Sequence, residues 1–79
     1  MHDKPRDETR NINKRYEAIG DDDSFVIADT KTGKVAGAAF ADLSKPGWWE
    51  CLFRGNNRRI YVEATHPEPW REVAWRLTR

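Results

Sequence analysis

A lone cysteine, Cys51, excludes an internal disulfide, and no Cys/His cluster has the spacing of a zinc site. No apolar run approaches the ~18 residues of a membrane span, and MHDKPRDETRNINKR is too polar for a signal peptide. The expectation is a soluble chain in a reducing compartment, most simply the cytoplasm. A large net charge is also lacking: charged residues are 34% of the chain yet balance to +1, which argues against wholesale phosphate coating and against a DNA-mimicking acidic surface. No Gly-rich phosphate loop occurs, since GKVAG carries only part of such a pattern. A chain of 79 residues is one domain at most, and it buries only about 60% of its unfolded surface.

The chemistry-bearing residues have structural readings. Asp21-Asp22-Asp23 lacks the alternate ligand spacing and distant glutamate of a calcium loop and reads as a solvated turn. His66 stands in a proline-flanked helix entry with no serine or cysteine nucleophile paired to it. Cys51 falls on the inward face of a strand, where a thiol is inert. The expectation is a non-enzymatic protein with no cofactor and no metal.

Residues 1–13 are polar, aperiodic and contain Pro5, and they read as a mobile tail before a single domain over 14–79. In SFVIADTKTGKV, Phe25 and Ile27 alternate, Asp29 can hold a turn and Gly33 supplies a positive φ, which makes a β-hairpin. Gly37 and the alanines of KVAGAAF invite close approach by a bulky neighbour such as a tryptophan. Residues 10–19 fit either a helix carrying Ile12, Tyr16 and Ile19, or a strand feeding a hairpin, and the strand is favoured.

WWECLFRGNNRRIYVEAT reads as two strands joined at Asn56-Asn57. That turn puts Trp49, Cys51, Phe53, Ile60, Val62 and Ala64 on a core face, with Trp48, Leu52 and Tyr61 on the wet one. It also opposes Arg54 to Arg59 and Glu50 to Glu63, like-charge pairs that need compensation. After THPEP, Trp70, Val73, Ala74 and Leu77 form a helical stripe. The helix begins either with a Thr65/Glu68 capping box or with Pro69 in its first turn. The expected fold is α+β: an antiparallel sheet of four to five strands with a C-terminal helix on one face.

What remains is a surplus of surface aromatics and arginines. Trp48 and Trp49 are adjacent in a strand, so one must point outward. Trp75 lies about 140° around its helix from Trp70, within reach of Arg71. Trp, Tyr and Arg dominate protein–protein hot spots, which makes Trp48, Tyr61, Arg71 and Trp75 candidate contact residues beside the Arg54, Arg58 and Arg59 cluster. The alternative is nucleic-acid binding by that arginine tip, with Trp48 and Tyr61 as stacking platforms. An exposed strand edge could also pair two copies, so a monomer or a homodimer is compatible with the chain.

A compact, nearly neutral domain with surplus aromatics and no cofactor motif resembles the small inhibitors encoded by phages and other mobile elements, among them anti-CRISPR proteins. The resemblance lies in the general plan of the whole chain rather than in a motif. It implies a bacterial host cytoplasm and a partner in a CRISPR effector complex, inhibited by blocking nucleic-acid loading or nuclease recruitment. Arg54, Arg58 and Arg59 would then face acidic protein, or Asp21, Asp22 and Asp23 a lysine-lined DNA channel.

Overall fold

The structure, a computed structural model, describes residues 8–79. Six strands follow one another in space as in sequence: β1 (Glu8–Asn11), β2 (Tyr16–Gly20), β3 (Ser24–Asp29), β4 (Val35–Ala41), β5 (Trp48–Phe53) and β6 (Asn56–Tyr61). All neighbours are antiparallel, and the helix α1 (Pro69–Thr78) crosses one face of the sheet. The α+β plan with a C-terminal helix is as expected, but the strands number six rather than four to five.

The additional strand comes from the segment that reads as tail in the sequence. Residues 8–11 form β1, whereas the rest of the tail assignment, residues 1–7, lies outside the described residues. β1 has no apolar stripe to announce it. Its inward residue is Arg10, whose guanidinium lies 3.8 Å from the centroid of the Trp70 ring and pairs with Asp22 at 2.6 Å. A long stem and a flat cation thus do the covering that a leucine would do elsewhere. Residues 16–20 are strand, as favoured, and Gly20 ends β2 rather than a helix.

The turns follow from side-chain acceptors. Asp29 Oδ1 accepts the amides of Lys31 and Thr32, with Gly33 at φ 74°. Asp21 does the same for Asp23 and Ser24. These amide hydrogen bonds are the main reason both carboxyls sit below the usual aspartate range. Between Ile27 and Ala28 the register slips, so that Ala28 opposes Val35 and Ala36 is bulged toward the core.

The β5–β6 turn corrects the expected register. The turn residues are Arg54 (φ 52°) and Gly55 (φ 83°), and Asn56 already belongs to β6. A two-residue hairpin loop of type I′ has positive φ at both central positions, and glycine supplies one at no steric cost. Glu50 therefore opposes Arg59 and Trp48 opposes Tyr61. Both like-charge pairs vanish, and with them the need for compensation. The slip is an even number of residues, so the face assignment survives: Trp49, Cys51, Ile60 and Val62 are buried and Phe53 is half-buried. Ala64 lies beyond the strand and is exposed.

The core lies between sheet and helix. Phe25 joins the two, edge-on to Trp70 at 6.0 Å and tilted against Trp49 at 5.9 Å. Trp70, Val73, Ala74 and Leu77 are the buried helix residues, as the stripe predicts. Pro69 opens the helix; no Thr65/Glu68 box forms, and the Glu68 amide instead donates to His66 Nδ1. The neighbour crowding Gly37 is β5 itself: a Cβ there would stand 2.3 Å from the Leu52 carbonyl oxygen and 2.9 Å from the Phe53 ring. Phe53, not a tryptophan, uses that space. Gly37→Ala should therefore destabilise by about 1–3 kcal/mol, read as a lower urea midpoint at unchanged slope.

Candidate functional site

The helix covers one face of the sheet, and among the described residues no second layer covers the other. Side chains that point there follow from the register. One row across the sheet runs Ile19, Val26, Ala38 and Leu52, ending at Asn57, and the next runs Ser24, Phe40, Glu50 and Arg59. Beyond them stands the pair Trp48 and Tyr61, rings 5.3 Å apart and tilted at 58°. Phe40, Leu52, Trp48 and Tyr61 are 53%, 43%, 38% and 46% exposed, values that make them apolar surface rather than core.

The charge within this patch is balanced locally. Arg59 Nε is 2.8 Å from Glu50 and its Nη2 is 3.4 Å from Asp42, while its guanidinium lies over the Trp48 ring at 5.0 Å. Asp42 is itself held by the Ser44 hydroxyl and amide, which, with Arg59 and Lys45 nearby, keep its carboxyl below the usual range. Gly47 makes room for the aromatic pair, because a Cβ there would stand 2.5 Å from the Tyr61 ring. Arg59 and Trp48 are thus fixed in place before any partner arrives.

Of the predicted contact residues, Trp48, Arg59 and Tyr61 come together on this open face. The others do not join them. Arg54 sits in the turn at the far end of the sheet, its guanidinium 5.3 Å from the Phe53 ring centroid and donating to the Tyr16 hydroxyl. Arg58 opposes buried Cys51 and so points to the helix side of β6. Arg71 lies over Trp70 at 4.7 Å, pairs with Glu68 and donates to the Asn11 carbonyl. Trp75 is exposed and is covered by Arg79 at 4.6 Å instead of by Arg71. In the acidic turn, Asp21 caps the backbone, Asp22 pairs with Arg10, and the Asp23 carbonyl accepts the Ala41 amide. Of the arginine tip only Arg59 stands beside the Trp48/Tyr61 platform, because Arg54 lies at the other end of the β5–β6 hairpin and Arg58 on its other face, which divides the cluster that the nucleic-acid alternative needs.

Phe40 and Leu52 are contact candidates that sequence reasoning missed, although alternation along KVAGAAF and WWECLF places both on the outward side. Their importance appears only when β4 and β5 lie side by side. Among the described residues no group of three or more His, Cys, Asp or Glu side chains is placed to hold a metal ion. Cys51 is buried, and desolvation pushes its thiol up to about 11. No described helix is long and apolar enough to cross a membrane. No family model matches the chain, and no curated protein or solved structure is significantly similar to it.

Proposed function

We propose that this protein is a non-enzymatic binding module that lays its open sheet face on a larger protein and occludes a functional surface there. The observation that carries the proposal is the contiguous patch of Phe40, Leu52, Trp48 and Tyr61 around the Glu50–Arg59 pair. The molecule measures 37 × 32 × 20 Å, and six strands side by side give the open face its width. A face of that size can supply the ~800 Å² that each partner gives to a stable interface. Its chemistry selects an apolar protein surface with a polar rim. Phosphate would meet Glu17, Glu50 and Asp42 here, and among the described residues the one arginine on the face, Arg59, is already shared between two of these carboxylates. A CRISPR effector complex as the partner rests on the general resemblance alone.

The test is capture of a purified candidate effector complex, or of a partner identified by mass spectrometry, by the full chain and two variants. Leu52→Arg puts an unpaired cation in the middle of the patch and should abolish capture while thermal melting stays within a few degrees of wild type. Trp75→Ala, on the helix side, should capture normally. A folded Leu52→Arg protein that binds like wild type would overturn this assignment of the face.

A further inference from the structure

The net charge of +1 hides a segregation that only the fold reveals. In an antiparallel meander, alternate turns collect at the same end. The β1–β2, β3–β4 and β5–β6 turns meet at one end, where the C-terminus of α1 also arrives. They bring Lys14 and Arg15, Lys31 and Lys34, Arg54, and Arg79 from the helix end. Asp29 is the one described carboxylate among them, and it pairs with Arg15 at 3.6 Å. The opposite end holds Asp21, Asp22, Asp23, Asp42, Glu63 and Glu68 against Lys45 and the Arg10 that reaches Asp22.

At the basic end lies a hollow of about 550 Å³ lined by Asn13, Lys14, Arg15, Tyr16, Arg54 and Arg79, with Phe53 and Thr78 completing the wall. Among the described residues, no carboxylate lies within ion-pair distance of Lys14, Arg54 or Arg79. The cations are nonetheless held. Tyr16 carries Arg15 over its ring at 5.5 Å and accepts a hydrogen bond from Arg54, whose guanidinium also lies against Phe53. Asn13 Oδ1 accepts the amides of Arg15 and Tyr16, and its Nδ2 donates to Thr78 Oγ1 at 3.2 Å, tying the β1–β2 turn to the helix. A second hollow alongside shares Lys14 and Arg15 and adds Lys31 and Thr32, with Asp29 as the carboxylate in its wall.

We infer that this basic end is an anion site that binds phosphate groups. Among the described residues, Lys14, Arg54 and Arg79 converge without an Asp or Glu partner, and a bound anion relieves their mutual repulsion. Arg54, held by Tyr16 and Phe53, and Arg15, shared between the Tyr16 ring and Asp29, present guanidinium donors suited to the several oxygens of a phosphate. The hollow is open to solvent, which leaves room for a pyrophosphate or a stretch of phosphodiester backbone. This site is remote from the Trp48/Tyr61 patch and stands independently of the protein-binding proposal.

The experiment is amide NMR titration of the full chain at low salt with inorganic phosphate, pyrophosphate, an oligothymidylate and poly-glutamate of matched charge. Saturable shifts confined to residues 13–16, 54–55 and 78–79 are expected. Lys14→Ala combined with Arg79→Ala, both exposed positions, should weaken binding about tenfold or more without lowering the melting temperature. Pyrophosphate binding as tightly as the oligonucleotide would identify a small phosphorylated ligand. A log–log salt slope of about −3 for oligothymidylate would identify nucleic-acid backbone spread over four cations. Shifts centred elsewhere, no saturation with millimolar pyrophosphate, equal binding of poly-glutamate, or an unaffected double variant would each overturn the site.

Discussion

Trp70→Ala should come close to unfolding the protein, while Trp75→Ala, five residues on in the same helix, should leave it folded. Trp70 is 3% exposed and is enclosed on several sides: Phe25 meets it edge-on, and Arg10 and Arg71 lie over its ring. Its loss removes the transfer free energy of an indole and leaves a cavity bounded by a strand and a helix that cannot both move in. Substitutions of this kind cost about 3–5 kcal/mol. A domain of this length has roughly 0.05–0.15 kcal/mol of stability per residue in total, so the loss rivals the whole. It should also free Arg10, exposing β1 to exchange. Trp75 is 47% exposed and loses little beyond its contact with Arg79. Its replacement should stay within ~1 kcal/mol, a few degrees in melting temperature. Thermal melting of both variants decides the matter, and equal losses would mean that Trp75 is part of the core.

This contrast is legible in the amino-acid sequence, because helical spacing alone separates the two tryptophans. The Asp29–Gly33 turn is legible for a similar reason, since each residue there has a local job that its chemistry announces. Two other features are not. β1 depends on Arg10 acting as an apolar cover, and an arginine in a polar segment carries no such label. The β5–β6 register depends on which of two neighbouring pairs makes the turn, Arg54-Gly55 or Asn56-Asn57. Local preference favours asparagine over arginine at positive φ, but Arg54 is held in place by its neighbour Phe53 and by Tyr16, which lies 38 residues away in the chain.

The candidate surfaces show the same division between local and non-local information. Outward placement of Trp48, Leu52 and Tyr61 follows from alternation within one hairpin. That Phe40 joins them needs β4 laid beside β5, and the collection of cations at one end needs all six strands in order. Near-zero net charge suggests an even mixture of signs over the surface, whereas the meander sorts the signs by end. Composition is blind to that sorting because successive turns alternate between the two ends.

The second large effect is expected at the aromatic pair of the open face. Trp48→Ala and Tyr61→Ala should each weaken partner binding by about 2 kcal/mol or more, some thirtyfold, which is the range of interface hot spots. Both residues are already half-exposed, so folding should lose far less than binding. The two losses should not add. The rings are 5.3 Å apart, and Arg59 lies over Trp48, so removing either ring loosens the platform that the other completes. A double-mutant cycle measured by calorimetry should therefore give a coupling energy of roughly 0.5–3 kcal/mol. Arg59→Lys supplies the control for electrostatics: it keeps the charge beside Glu50 and Asp42 but loses the planar stack, and should reproduce part of the Trp48 defect. Additive losses in the cycle would mean that the two rings meet the partner separately. Unchanged affinity in both single variants would remove the open face from the interface altogether.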